Sequence, residues 1–180
     1  HRSYTNIDTM ASAADWFDNS GFSVYHACGS FHTEESRKAE NTAHFRSFFL
    51  DLDCGLQKAN KGKGFIDKAT ACNVLKDFCK KLNLPKPTII DSGGGFHIYW
   101  ALQDDIEADE WLSVASKLKQ LTKFHKFTAD DARTADRASL LRPVEAKNRK
   151  YSPTRQVKAL YVADDVNFTV FKAKIETAES

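Results

Sequence analysis

Residues 45–53, FRSFFLDLD, constrain this chain more than any other stretch. Phenylalanine and leucine dominate it and its two acids come last, so it reads as a strand buried along most of its length. Strand side chains alternate, so Phe48, Leu50 and Leu52 share one face while Phe49, Asp51 and Asp53 share the other. Two carboxylates on one face repel when both are ionised, and such a pair persists where a cation compensates or water solvates it. Hard oxygen ligands at this spacing suit Mg²⁺ or Mn²⁺. Taken alone, the DxD pattern fits a solvated strand end equally well.

A second feature shifts that balance. TIID, SGGG and HIYWAL read as strand, glycine turn and returning strand, a β-hairpin over residues 88–102. Strand parity sends Ile98, Trp100 and Leu102 toward packed helices and leaves His97 and Tyr99 on the opposite side. Ser92, Gly93, Gly94 and Gly95 form a turn whose backbone a ligand can approach closely and whose N–H groups can cradle phosphate. His97, directly after it, is placed to donate to the same phosphate. Carboxylates, glycine turn and histidine together suggest a nucleoside triphosphate site.

The rest of the chain supplies a scaffold. Ile7, Met10, Ala14 and Phe17 mark a helix over 7–18, FSVYHAC (22–28) reads as a strand, and 35–43 as a polar helix or loop. After the loop CGLQKANKGKG, Asp67 caps a helix with the stripe Ala71, Val74, Leu75, Phe78, Cys79 and Leu82, which Pro85 and Pro87 stop. A further helix spans 108–124, residues 125–150 are polar and irregular, VKALYVA (157–163) is a last strand, and the C-terminal end returns as a short strand or helix. This pattern predicts one α+β domain over 1–180, with helices on one face of a sheet and the other face free to work.

Composition narrows the class. Cys28, Cys54, Cys72 and Cys79 include no CxxC pair, so they read as reduced core thiols and no structural zinc is expected, the set His26, Cys28 and His32 included. No apolar run reaches a membrane span and no signal peptide is visible, which predicts a cytoplasmic protein with no membrane partner. The chain begins at His1, as an excised domain of a longer protein would, and a helicase domain or subunit is an expected companion. A net charge of +2 says little about partners, but residues 133–158 hold eight Lys or Arg against two Asp or Glu. That run predicts contact with a polynucleotide backbone, a solvated loop being the alternative. Lys58, Lys61 and Lys63 either reach phosphates or keep their loop soluble.

FFLDLD resembles the first motif of the archaeo-eukaryotic primase superfamily, and DSGGGFHIYW resembles its second. TADDARTADRASLLRPVEAKNRK is similar to the segment that phage and plasmid members place next, matched here by Asp130, Thr134, Ala135, Asp136, Leu141, Arg142, Asn148 and Lys150. PVEA stands where relatives carry a PGT turn, and Ser139 where they commonly carry arginine. The resemblance covers about residues 22–150. It implies an RRM-like antiparallel catalytic sheet packed with an N-terminal α/β unit. It also implies Mg²⁺ or Mn²⁺ on Asp51, Asp53 and Asp130, and nucleotide binding (NTP or dNTP) by Ser92, the three glycines, His97, Arg142, Asn148 and Lys150. Lys147, Arg149 and Arg155 are expected to meet a DNA template or primer. The implied reaction is template-directed nucleotidyl transfer, as primase, DNA polymerase or both.

For the third carboxylate Asp131 and Asp136 compete with Asp130. Asp130 follows FTA, read as a strand end, and is preferred; Asp136 before ASLLR reads equally well as a helix cap. Rival functions are a DxD nucleotide-sugar glycosyltransferase and a catalytically silent RRM-like nucleic-acid-binding domain.

Overall fold

The structure is a computed structural model that describes residues 1–179. Asn6 accepts the Thr9 N–H and so starts α1 (Ile7–Asn19). Two short strands follow, β1 (His26–Ala27) and β2 (Gly29–Phe31), and then the long β3 (Thr42–Asp53). The loop after β3 holds a single helical turn, α2 (Leu56–Asn60). Asp67 caps α3 (Lys68–Lys81) by accepting from Thr70, as its position before the apolar stripe predicts. The hairpin is β4 (Thr88–Asp91) and β5 (Gly95–Glu107), leading into α4 (Ala108–Phe124). The remainder comprises α5 (Asp131–Thr134), β6 (Leu140–Leu141), β7 (Lys147–Asn148), β8 (Arg155–Gln156), β9 (Lys158–Tyr161) and α6 (Phe168–Thr177).

Five strands make one antiparallel sheet in the order β2-β3-β5-β4-β9, and the pairs β1-β6 and β7-β8 stand apart from it. The fold is therefore mixed α+β, with the longest strands at the centre. Aromatic packing fastens the helices to β3. The Trp111 ring of α4 lies 4.0 Å from Phe45 and 6.0 Å from Phe48, while its indole N–H donates to the Ser47 carbonyl at 2.9 Å. Phe171 of α6 stacks on Phe48 at 4.9 Å and leans on Trp100 at 5.6 Å. All are buried, and truncating Trp111 to alanine costs about 3–5 kcal/mol.

Four expectations are corrected. FSVYHAC is strand only at His26–Ala27, because Phe22 and Tyr25 turn to solvent and the short ladder pairs with Leu140–Leu141 outside the main sheet. ASLLR is consequently not a helix, and FTA is not a strand. The second sheet face is not free either. His97 is 4% exposed, with His26 and Arg142 as electrostatic neighbours, and Cys28 lies within reach of Asp51 and Tyr99. The β1-β6 pair thus roofs the face that carries the chemistry. Among the described residues, no helix is long and apolar enough to cross a membrane.

Candidate active site

Backbone register builds the centre of the site. Antiparallel pairing sets Asp51 opposite His97 and Asp53 opposite Gly95, so the last acids of β3 meet the first residues of β5. The Asp130 N–H donates to the Asp51 carbonyl at 2.8 Å, which draws the segment before α5 against the same strand end. The Asp130 side chain caps α5 through the Ala132 N–H at 2.9 Å. Burial pushes the Asp51 carboxyl up to about 6, the charges of Asp53 and Asp130 push the same way, and Arg133 and Lys150 oppose them. Asp53 itself pairs with Lys58 at 2.6 Å.

This charge pattern fits a divalent cation. Three carboxylates lie close enough for two of them to disfavour ionisation of the third, which is the imbalance that a cation relieves. Among the described residues no three His, Cys, Asp or Glu side chains converge as a ready-made cage. Mg²⁺ commonly takes one or two carboxylates and completes its shell with water and substrate phosphates, so an open acidic site suits it.

A basic pocket adjoins the acids. The His97 Nε2 lies 3.9 Å from Asp51, while its Nδ1 is buried without a protein partner. Burial, then His26, Arg142 and Arg133, push the His97 ring down to about 3, so the imidazole is neutral near pH 7. Arg142 is buried, donates through Nη2 to the Tyr25 hydroxyl, and holds its guanidinium 4.6 Å from that ring; its Nε has no partner. Buried polar atoms left unpaired cost about 1–3 kcal/mol each, so the His97 Nδ1 and the Arg142 Nε call for a partner such as water or a ligand. Arg133 reaches the same pocket while donating to the Leu140 carbonyl at 3.1 Å.

The glycine turn has structural work of its own. Gly93 sits at φ +89° and donates to Asp91 at 2.8 Å, while the Ser92 N–H donates to Gly95. A Cβ on Gly95 would collide with the Leu52 carbonyl, and one on Gly94 with the Tyr151 hydroxyl. Asn148 donates to the Ser92 carbonyl at 2.8 Å and Arg155 to the Gly93 carbonyl at 2.8 Å, with Arg155 stacked 3.8 Å from the Tyr151 ring. Two of the turn's N–H groups, those of Ser92 and Gly93, and the carbonyls of the same two residues are thus engaged within the protein. Ser92 and Asn148 are buried, and Asn148 also accepts the Lys150 N–H at 3.2 Å.

The basic run divides in two. Arg133, Arg142 and Lys150 act on the site, whereas Lys147 and Arg149 converge on buried Asp18 of α1, with Arg149 donating also to the Phe22 carbonyl at 2.7 Å. Arg137 pairs with Asp109 at 2.7 Å. Of the competing acids, Asp131 pairs with Lys123 at 3.0 Å, and Asp136 accepts the Ala138 N–H at 2.9 Å in a turn rather than capping a helix. Arg133, Asp18, Tyr25 and Tyr151 are not singled out by sequence, and Lys58, expected to reach phosphates or keep its loop soluble, instead pairs with Asp53. Arg133 carried a signal, since it stands three residues after Asp130 and pairs with it at 3.7 Å.

No family model and no curated protein matches the chain. Among solved structures, the AEP domain of the primase-polymerase (PrimPol) of cyanophage S-2L is similar to it at 12% sequence identity and a TM-score of 0.63, over 93% of this chain and 75% of that one. The chain thus has the fold of a primase-polymerase AEP domain.

Proposed function

We propose that this chain is a nucleotidyltransferase that extends a primer on a DNA template, as DNA primase, polymerase or both, from NTP or dNTP substrates. The observation that carries the reading is geometric: register sets Asp51 and Asp53 at the end of β3 against His97 and Gly95, the Asp130 N–H bonds the Asp51 carbonyl, and the cations Arg133, Arg142 and Lys150 border the acids. A separated acidic and basic pair of surfaces suits a metal-bound triphosphate. Likeness to the AEP domain supports the same reading.

Asp51, Asp53 and Asp130 would hold the divalent ions. Bound Mg²⁺ or Mn²⁺ supplies Lewis-acid activation of the primer hydroxyl and neutralises charge on the departing pyrophosphate. Arg142 and Arg133, fixed by Tyr25 and the Leu140 carbonyl, attract and orient phosphate oxygens before any reaction. His97, neutral and with Nδ1 unpaired, can donate one hydrogen bond to a phosphate oxygen without adding charge. Asn148 and Arg155 hold the glycine turn in shape. Lys150 and Arg155, at the exposed rim, would meet the polynucleotide, and the Asp18 clamp places Lys147 and Arg149 beside them.

A labelled primer-template incubated with Mg²⁺ or Mn²⁺ and either nucleotide class should give extension products that a chelator abolishes. DNA binding without extension under every metal and nucleotide combination would overturn the enzyme reading and favour a silent binding domain.

A further inference from the structure

Of the three lysines in the loop between β3 and α3, Lys58 alone makes an ion pair among the described residues, and it does so on a carboxylate of the site. Its ammonium lies 2.6 Å from Asp53 Oδ2, with Asp51 and Asp130 also within electrostatic reach. The loop is folded to bring it there. Gly55 donates to the Phe65 carbonyl at 2.8 Å, Phe65 back to the Asp53 carbonyl at 2.9 Å, and Lys63 to the Lys58 carbonyl at 2.9 Å. Gly64 permits this closure, since a Cβ there would sit 2.5 Å from the Asp53 carbonyl oxygen and 2.9 Å from Lys58 Cβ.

We propose that Lys58 is the internal counter-cation of the carboxylate site, holding Asp53 in place until a divalent ion enters and then being displaced by it. The inference rests on the metal-site reading given under Proposed function. The pair is well formed but half-exposed, with side-chain exposures of 49% for Lys58 and 37% for Asp53. Exposed pairs are weak, so this one orders the carboxylate without locking it. A doubly charged ion outbids one ammonium for Asp53 and also relieves the repulsion from Asp51 and Asp130, which a single charge does only in part. The exchange makes and breaks no covalent bond: the ion enters, and the ammonium, still protonated, swings off on its flexible stem. Asp18 shows the contrasting design, a buried acid engaged by the Lys147 N–H and the Arg149 guanidinium.

Two readouts test this. Mn²⁺ binding, measured on the metal alone by calorimetry or paramagnetic resonance, should tighten about two- to fivefold in Lys58→Gln, the worth of one weak exposed pair, and stay near wild type in Lys58→Arg. Acylation of Lys58 by a small amine-reactive ester, followed by peptide mass spectrometry, should quicken severalfold when Mn²⁺ is added, with Lys61 and Lys63 unchanged. In Asp53→Asn that rate should be fast already and insensitive to Mn²⁺. If wild type binds Mn²⁺ while Lys58→Gln binds it no more tightly and Lys58 acylation ignores the metal, the proposal falls and the metal-site reading stands. If wild type binds no Mn²⁺ at all, both fall.

Discussion

Asp18 and Asp51 are both acids held largely out of water, at 8% and 22% side-chain exposure, and the protein treats them oppositely. Burial would raise Asp18, but the Lys147 N–H and the Arg149 guanidinium outweigh it and hold the carboxyl below its usual range. Around Asp51 burial is reinforced by two further acids, and the nearby cations do not cancel them. The first acid fastens α1 to the strand that carries Asn148, so its partners are part of the fold. The second is left short of positive charge at the place where β3, β5 and the Asp130 segment meet. Stability alone would have removed such a deficit, which points to a cation supplied from outside.

The largest expected effects break the Asp51 side of this contrast. Asp51→Asn, Asp53→Asn and Asp130→Asn should each lower primer extension by at least about 10²-fold, since the lost ligand stabilises charge worth several kcal/mol in the transition state. Asparagine is as good an N-cap as aspartate, so Asp130→Asn keeps α5 and removes only the charge. Asp136→Asn should retain substantial activity, since its side chain serves a local turn. Extension rates beside melting curves check all four.

Next comes the Asp18 side. Asp18→Ala leaves the Lys147 N–H and Arg149 without their acceptor and should cost about 2 kcal/mol, lowering the melting temperature by roughly 5 °C without touching metal affinity. Stability against pH sharpens the point. Because the folded Asp18 carboxyl is depressed, its contribution is present above the unfolded value near 3.8 and is lost as pH falls through the lower folded value. Asp51 runs the other way: its folded value near 6 exceeds the unfolded one, so its burden eases as pH falls from 6 toward 3.8. Urea midpoints from pH 7 to 3 should show both slopes, and each should vanish in its own asparagine variant.

The smallest effect concerns the basic run. Lys150→Gln should reduce the log-log salt slope of primer-template binding by about one unit, whereas Lys147→Gln, whose charge Asp18 already engages, should change it less and lower stability instead. Equal slopes for the two would erase the division drawn between site-facing and fold-holding cations.

Much of the scaffold was legible because it is local. The α4 stripe, the Asp67 cap, the β4-β5 hairpin and the alternation in FFLDLD each need only a few neighbouring residues to declare themselves. What the sequence hid depends on distant pairing. Nothing near Lys147 or Arg149 tells that Asp18, some 130 positions earlier, will engage them, so they read as a free basic stripe. Likewise HAC and SLL looked like a longer strand and a helix until pairing with each other set both to two-residue strands roofing the site. The site acids lie between these cases. Asp51 and Asp53 follow from strand parity, while Asp130 was preferred for a strand end that does not exist and is brought to β3 by one backbone hydrogen bond to Asp51.

The most direct measurement is a Mn²⁺ binding isotherm on wild type, Asp51→Asn and Asp18→Asn, each with its melting temperature. The account predicts that Asp51→Asn loses most of its Mn²⁺ affinity at undiminished stability, while Asp18→Asn binds Mn²⁺ like wild type and melts earlier. Wild-type Mn²⁺ affinity in Asp51→Asn would contradict it.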